Sequence, residues 1–327
     1  SLYGYTAYQS LAGAPDWGGK QSAGNYRWFI DYYLDEMKKA EKSDGRRLLD
    51  VLDIHYYTEA KGECGQRSCS HYDRDGCVKA RLDSVRSLFE EGYLENSWIA
   101  DNGAEFFPLI PNIQQSINQY YPGTKLAFTE YNFGGGDHIS GGVCQADVLG
   151  IFAENGVYFS SLWPIGQNQY QLAAINMFTN YDGRGSGFGN TLVKSESSDR
   201  NTVSAYSATD ENGDLRVILT NKSLHEKTPI SLTIGGETGY SCAEVYELYG
   251  DSTDIRSADP AELDGRVLEY SLKPLSVTEL VFKASQPVQR PEEQPDKNGF
   301  PVVPMAVGAG IAVAAAIAII FVRKNRS

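Results

Sequence analysis

Glu130 is the residue whose type and position could do chemistry most directly. It ends the apolar stretch Leu126–Thr129 and is followed by Tyr131, Asn132 and a turn of three glycines. In a βα barrel the C-terminal ends of the strands face the active site. A carboxylate at such a position, beside an aromatic ring and an amide, suits a nucleophile that attacks a sugar. By spacing alone, a solvated glutamate at a strand end is the simpler interpretation.

Two further strand ends carry polar and aromatic residues. Residues 53–57 read Asp-Ile-His-Tyr-Tyr, Trp163 precedes Pro164 after a later apolar run, and Trp98 lies in a loop. Aromatic faces stack on sugar rings, although each of these residues taken singly is more often part of a core. Three consecutive strands that end in His-Tyr-Tyr, Thr-Glu-Tyr-Asn and Leu-Trp-Pro together indicate a saccharide cleft.

The elements that must position these residues alternate along residues 1–185. Apolar strands are predicted at 48–57, 125–133 and 157–165, and helices at 25–42 and 140–155. Repeated βα units predict a parallel sheet. Residues 186–284 change to short alternating strands separated by turn signals, which predicts an antiparallel β-sandwich.

The C-terminus has a different composition. Residues 285–299 form a linker rich in proline and charge, residues 300–322 contain no charge, and residues 323–327 are basic. An uncharged run of ~20 residues matches the thickness of a bilayer, and positive residues beside a span favour the cytoplasmic side. The sequence therefore predicts a single C-terminal transmembrane helix that anchors the protein at the extracellular face of the membrane. Because the net charge is −13, nucleic acid is not an expected partner.

Several segments resemble glycoside hydrolase family 44, whose members are endoglucanases and xyloglucanases with a (β/α)8 barrel and an appended β-sandwich. The matching segments are Leu49–Tyr57, Ser97–Ile99, Tyr121–Leu126, Thr129–Asn132 and Ala146–Phe152. The resemblance implies that residues 1–185 are the C-terminal half of a catalytic barrel. It also implies retaining hydrolysis of internal β-1,4-glucosidic bonds in cellulose- or xyloglucan-type polysaccharides.

The same resemblance implies residue roles. Glu130 matches the family's nucleophile, and the residues expected to bind substrate are His55, Tyr56, Trp98, Tyr131 and Trp163. The chemistry needs no cofactor, and relatives can bind a structural calcium ion, for which no ligands can be assigned here. Asp73, Asp75 and Gly76 only partly match a calcium loop.

The sequence departs from the family at the acid/base residue. The family's Asn-Glu-Pro motif does not occur here, and the likeness begins near the fifth barrel strand. A retaining mechanism needs two carboxyl groups ~5–5.5 Å apart. Asp53, Glu59 and Glu63 are nearby carboxyl groups that do not match the motif. We therefore expect this chain to carry only the nucleophile half of the site and to be inactive alone.

Cysteine usage adds one expectation. Cys64, Cys69 and Cys77 fall within one loop, while Cys144 and Cys242 lie apart. A disulfide within the loop is favoured over a zinc site with His71, because the spacing fits no common zinc pattern.

Two alternatives to a family 44 glucanase stay open. One is a non-catalytic surface protein that binds glycans through its cleft aromatics. The other is a retaining xylanase or another β-glycosidase with the same architecture.

Overall fold

The computed structural model describes residues 2–3, 17–62, 73–285 and 317–322. In the first part of the chain, strands and helices alternate. The strands are β1 (Leu2–Tyr3), β2 (Val51–Tyr57), β3 (Lys125–Asn132) and β4 (Phe159–Leu162). The helices are α1 (Trp17–Gly24), α2 (Phe29–Asp44), α3 (Asp75–Ser84), α4 (Trp98–Gly103), α5 (Leu109–Tyr120), α6 (Ile139–Glu154) and α7 (Gln169–Thr179), with 3₁₀ turns at Val85–Leu88 and Ala104–Phe106.

The four strands form one parallel sheet in the order β1-β2-β3-β4. Such βα order places every strand's C-terminal end at the same edge of the sheet. The ends of β2, β3 and β4 therefore meet where the sequence predicts a cleft.

The second part is a β-sandwich. Its strands are β5 (Thr191–Ser197), β6 (Val203–Thr209), β7 (Leu215–Asn221), β8 (Thr228–Ile234), β9 (Cys242–Tyr249), β10 (Arg256–Glu262), β11 (Val267–Leu272), β12 (Ser276–Phe282) and β13 (Ile317–Val322). They pair in the order β10-β9-β12-β7-β6-β5-β13-β8-β11. The interior between the layers is apolar, with Leu219, Leu232 and Phe282 fully buried.

The prediction of a transmembrane helix over 300–322 is wrong. Ile317–Val322, the last six residues of that run, form strand β13, which pairs in parallel with β5 and antiparallel with β8. Ala318 and Ile320 are fully buried in the sandwich core. Apolar composition alone does not distinguish a membrane span from a strand buried between two others.

Across the described residues, helices capable of spanning a bilayer are absent. The remainder of the predicted span, the linker after Ser285 and the basic tail lie outside the described residues.

Helix α6 joins the sheet to the sandwich. Apolar residues occur on all its faces and most of the helix is buried, as expected for a central helix. Phe152 stacks on Phe128 of β3 with ring centroids 4.9 Å apart. On the sandwich side, a Cβ atom on Gly150 would lie 2.3 Å from the Tyr206 ring, so only glycine permits this close approach.

A buried ion pair fastens α6 to the sandwich. Asp147 accepts from Lys222 Nζ at 2.8 Å and from the Tyr206 hydroxyl at 2.5 Å, and Lys222 also donates to Ser204 Oγ at 2.8 Å. Both charged side chains are at least nine-tenths buried. Burial raises the pKa of Asp147, but the Lys222 ammonium and the hydrogen bonds outweigh it, so the pKa lies below its ordinary value.

Glu279 of β12 is a second buried carboxyl group at this junction. It is fully buried and lies opposite Ile218 and Tyr246 on the neighbouring strands. Within the described part of the chain, neither carboxyl oxygen has a hydrogen-bond partner. Burial raises the pKa of Glu279 well above its ordinary value, and the positive charge of Arg216 offsets this only in part.

We expect Asp147→Ala to lower the free energy of unfolding by about 3–5 kcal/mol, because Lys222 is left as an unpaired buried charge. The double variant Asp147→Ala/Lys222→Met should lose less, since the buried charge is removed as well. Denaturant unfolding measures both. Glu196→Ala breaks an exposed ion pair with Lys194 and serves as the control, with an expected loss below about 1 kcal/mol. A loss for Asp147→Ala no larger than the control would contradict this assignment.

Glu279→Gln should raise the free energy of unfolding at pH 7 but not near pH 4. A carboxyl group whose pKa is raised by folding contributes its full stability below the unfolded pKa. That contribution is lost as the pH rises through the folded pKa, because the charged form is the one that burial disfavours. Unfolding measured across that pH range tests the sign. Glu262→Gln, on the exposed part of β10, should change little at either pH, and an equal gain for both variants would contradict the prediction.

Candidate active site

The candidate site lies at the C-terminal ends of β2 and β3. Along β2 exposure alternates, so that Asp53, His55 and Tyr57 share one face while Leu52, Ile54 and Tyr56 are buried on the other. Alternation of this kind is the ordinary geometry of a strand. Register pairs His55 with Glu130 of β3, which brings the polar face of β2 beside the predicted nucleophile.

A β-bulge in β3 turns the Glu130 side chain towards the polar face of β2. The register between β2 and β3 shifts between the pair Ile54–Phe128 and the pair His55–Glu130, leaving Thr129 as the extra residue. Phe128 and Tyr131 both contact Phe152 of α6, whereas Thr129 and Glu130 both hydrogen-bond the polar face of β2. The bulge therefore turns two consecutive side chains towards the same side, as bulges next to active sites commonly do.

The Glu130 carboxylate lies against two neighbours. The Tyr57 hydroxyl donates to Oε2 at 3.0 Å, and Nδ1 of His55 lies 3.2 Å from the same oxygen. The Glu130 side chain keeps 34% of its surface exposed. A carboxylate that accepts a hydrogen bond from Tyr57, lies beside the His55 ring and is still open to the cleft has the geometry of a nucleophile.

His55 is itself oriented by a hydrogen-bonded chain. The Thr129 hydroxyl donates to Asp53 at 2.6 Å, and the Thr129 amide donates to the same carboxylate at 3.0 Å. Nε2 of His55 lies 3.2 Å from that hydroxyl oxygen. Because the only hydroxyl proton points to Asp53, the oxygen accepts from Nε2–H, which fixes the imidazole ring beside Glu130.

Two exposed tryptophans lie at the rim. Trp163 follows β4 and is 53% exposed, and Trp98 begins α4 and is 37% exposed. Exposed indole rings at a cleft are suited to stacking on sugar rings. Nε1 of Trp98 donates to Glu59 at 3.1 Å, so this glutamate anchors one of the two rings.

A cavity of about 260 Å³ is bounded on one side by Tyr57, whose hydroxyl donates to Glu130. Its lining is formed by Tyr57, Asn132, Gly134, Gly136, Pro164, Gly166, Gln167, Asn168 and Gln171. None of these side chains carries a full charge at neutral pH, and the amides both donate and accept hydrogen bonds. Such a lining suits the hydroxyl groups of a neutral sugar better than an ionic ligand.

Tyr56 and Tyr131 are placed in the core. They are 4% and 2% exposed, and the Tyr131 hydroxyl accepts from Gln145 of α6 at 2.7 Å. Burial raises the pKa of both phenols. This placement gives no support to a role in substrate binding for either residue, because neither ring presents a surface to the cleft.

Tyr57 is the functional residue that sequence reasoning missed. The period of two along β2 was the available signal, since a polar face that contains Asp53 and His55 must also contain Tyr57.

The carboxyl groups near Glu130 have structural partners. Asp53 binds Thr129, and Glu59 binds Trp98. Glu63 lies outside the described residues. No second carboxyl group is therefore assigned as the acid/base from residues 17–62 and 73–285.

Three of the five cysteines lie in the described residues. Cys77 is disulfide-bonded, whereas Cys144 and Cys242 are free. Cys64, Cys69 and His71 lie outside the described residues. Asp75 begins α3 and contacts His225 Nε2 at 2.8 Å. Groups of three or more metal-binding side chains are absent from the portion of the chain that the structure describes.

Comparison with known proteins gives consistent relatives. The model of glycoside hydrolase family 44 matches residues 1–60. Endoglucanase A of Paenibacillus lautus is 44% identical over 292 residues, which cover 87% of this chain and 41% of that protein. Two crystal structures superpose with a TM-score of 0.81 each: a family 44 endoglucanase from Clostridium thermocellum (43% identity) and a Paenibacillus polymyxa family 44 xyloglucanase with xyloglucan (38% identity).

The alignments cover 86% of this chain and 56% and 55% of those two structures. The chain thus spans about half the length of the relatives that it matches. Sequence identity over most of this chain and the shared fold agree, and the chain belongs to glycoside hydrolase family 44.

Proposed function

We propose that this chain contributes to a retaining glycoside hydrolase that cleaves internal β-1,4-glucosidic bonds in cellulose- or xyloglucan-type polysaccharides, with Glu130 as the nucleophile. The observation that carries the proposal is the Glu130 carboxylate near the end of β3, which accepts a hydrogen bond from Tyr57, lies beside His55 and is open to the cleft. The exposed ring of Trp163 on the adjacent strand supports it. The names of the endoglucanase and xyloglucanase relatives support the substrate class.

In this mechanism the Glu130 carboxylate attacks the anomeric carbon and forms a glycosyl-enzyme bond, while a second carboxylic acid protonates the departing sugar oxygen. Water then attacks the anomeric carbon, the second group takes its proton, and Glu130 leaves as a carboxylate. The two carboxyl groups do this chemistry without a cofactor.

The acid/base group remains to be supplied. Asp53 and Glu59 are engaged as anchors of Thr129 and Trp98, and the sequence contains no Asn-Glu-Pro motif. We propose that the acid/base comes from protein outside this chain and that the chain alone does not hydrolyse polysaccharide. An extracellular location is also proposed, supported by the disulfide at Cys77, since disulfides persist in oxidising compartments.

Glycan binding without catalysis is the alternative that a specific observation favours. The exposed rings of Trp98 and Trp163, and the uncharged cavity lined by Tyr57 and Pro164, suit a polysaccharide whether or not a bond is cleaved. Other β-linked glycans are further candidates, because relatives include a protein named beta-mannanase/endoglucanase A and a bifunctional glucanase-xylanase.

The nucleophile can be tested in this chain without an acid. The substrate 2,4-dinitrophenyl 2-deoxy-2-fluoro-β-cellobioside has a leaving group that departs as a phenolate and needs no proton. We expect Glu130 to displace it and to carry one added fluorocellobiosyl group, located by peptide mass spectrometry. Glu130→Gln should abolish the labelling, and Glu59→Gln should retain it. Labelling at another residue, or labelling of the Glu130→Gln variant, would rule out the assignment.

In the intact enzyme, Glu130→Gln should lower kcat by at least about 10³-fold, the range seen on loss of groups that act directly in bond cleavage, while glycan affinity is kept. Assays on carboxymethylcellulose, xyloglucan and xylan would also separate the substrate classes. Substantial residual activity would show that Glu130 is not the nucleophile.

Trp163→Ala should weaken binding of cellohexaose by about tenfold, because stacking of an aromatic ring contributes on the order of 1–1.5 kcal/mol. Calorimetric titration of the chain measures this effect directly. Tyr158→Ala removes an aromatic ring that is 59% exposed at the start of β4, away from the cleft, and should not change the affinity. Equal affinities for the parent chain and Trp163→Ala would show that the Trp163 ring does not bind the sugar.

A further inference from the structure

The exposed Trp163 ring is held through its own backbone. Its amide donates to the Tyr131 carbonyl at 3.1 Å, and its carbonyl accepts from Nδ2 of Asn132 at 3.1 Å. Tyr131 and Asn132 follow Glu130 directly on β3. The backbone that carries the ring is therefore fixed to the strand that carries the predicted nucleophile.

The hydrogen bond from Asn132 to the Trp163 carbonyl, which we call the clamp on Trp163, requires the nitrogen of the Asn132 amide to face Trp163. Its Oδ1 accepts from the Gly134 amide at 2.7 Å and from Nε2 of Gln171 at 2.9 Å. A side-chain amide has one acceptor oxygen and one donor nitrogen. Two donors at the oxygen leave the nitrogen facing Trp163.

Gln171 has its own orientation fixed. It lies near the start of α7, is 1% exposed, and its Oε1 accepts from Nδ2 of Asn168. Asn168 in turn accepts from the Gly166 amide at 2.7 Å. Because the glutamine oxygen is already occupied by a donor, its nitrogen is the group that reaches Asn132.

The surrounding packing keeps this helix end in place. The Tyr170 amide donates to the Gly136 carbonyl at 2.9 Å. A Cβ atom on Gly136 would lie 2.2 Å from the Gln167 carbonyl oxygen and 2.9 Å from Oε1 of Gln171. The glycine turn after β3 thus packs directly against the start of α7, with Gln171 between them.

We infer that Gln171 is a positioning residue for glycan recognition: it holds the Asn132 amide in the one orientation that fixes the Trp163 backbone to the strand that carries Glu130. The inference rests on the proposed function in taking Trp163 to be a sugar-stacking platform. Gln171 is almost fully buried and its amide is occupied by Asn168 and Asn132, so it acts on Trp163 through Asn132.

A ligand-free experiment tests the positioning directly. The full chain is labelled with 5-fluorotryptophan, and its four tryptophans are observed by ¹⁹F NMR, with Trp163 assigned from Trp163→Phe. Gln171→Met removes the donor at nearly constant volume. We expect the Trp163 resonance to shift or broaden and the Trp98 resonance to stay unchanged.

Gln171→Glu gives a pH-dependent version of the test. The ionised carboxylate cannot donate to Asn132, so the amide turns over and the clamp on Trp163 is lost. The introduced carboxyl group has an ordinary pKa of about 4.3, which burial raises. Lowering the pH below its pKa restores a donor and should return the Trp163 resonance towards its parent position. A merely structural loss of packing would not recover with proton concentration.

A double-mutant cycle of Gln171→Met and Trp163→Ala then measures the effect on glycan binding. Gln171→Met should weaken cellohexaose binding by about tenfold in the parent chain and should have no further effect in the Trp163→Ala background, since coupled residues are not additive. Gln145→Met is the matched control. That glutamine is also 1% exposed but binds the Tyr131 hydroxyl, so its loss should affect thermal stability without moving the Trp163 resonance.

The outcomes separate the two claims. An unchanged Trp163 resonance in folded Gln171→Met and Gln171→Glu overturns the positioning role even if the chain binds cellohexaose. Equal weakening by Gln171→Met with and without the Trp163 ring also overturns it. A shifted resonance in a chain that does not bind cellohexaose supports the positioning role and counts against the proposed function.

Discussion

The pairing of β2 with β3 is the constraint on which the candidate site depends. Parallel pairing sets His55 opposite Glu130, and the bulge at Thr129 turns Glu130 to the same face as the β2 side chains. Hydrogen bonds from Tyr57 and to Thr129 then hold the carboxylate and the imidazole in place. A one-residue change of register would move every side chain of a strand to the opposite face, so the site exists only in this register.

Helix α6 supports that pairing from behind. Its Phe152 packs on the outer face of β3, and its Asp147 binds Lys222 of the sandwich in a site closed to water. The core therefore runs continuously from the parallel sheet through α6 to the sandwich. The sandwich in this chain is part of the support for the strand that carries Glu130, and the apolar strand β13 closes it between β5 and β8.

The rim is built by a different kind of interaction. Side-chain amides of Asn132, Asn168 and Gln171 bind one another and the backbone near Trp163. Each side-chain amide has a donor nitrogen at one corner and an acceptor oxygen at the other. Because the donor of one amide binds the acceptor of the next, the orientation of one fixes the orientation of its neighbour without any charge. A group of side-chain amides near the Glu130 carboxylate is chemically consistent with a neutral polysaccharide.

The residue pattern alone determined the order of βα units, the change to a sandwich after residue 185 and the strand-end position of Glu130. These follow from hydrophobic periodicity, which is local in the sequence. The helix predicted over 140–155 is observed as Ile139–Glu154 for this reason. The same periodicity along β2 places Tyr57, and not Tyr56, on the face that carries Asp53 and His55.

Three features were decided only by the tertiary structure. They are the bulge at Thr129, the hydrogen-bonded side-chain amides near Trp163, and the strand formed by the end of the C-terminal apolar run. Each depends on a partner distant in sequence. The bulge depends on β2, the amide chain joins β3 to α7, and Ile317–Val322 form a strand because β5 and β8 offer hydrogen bonds on both sides. Local composition reports how apolar a segment is, but the partner that satisfies its backbone is chosen by the fold.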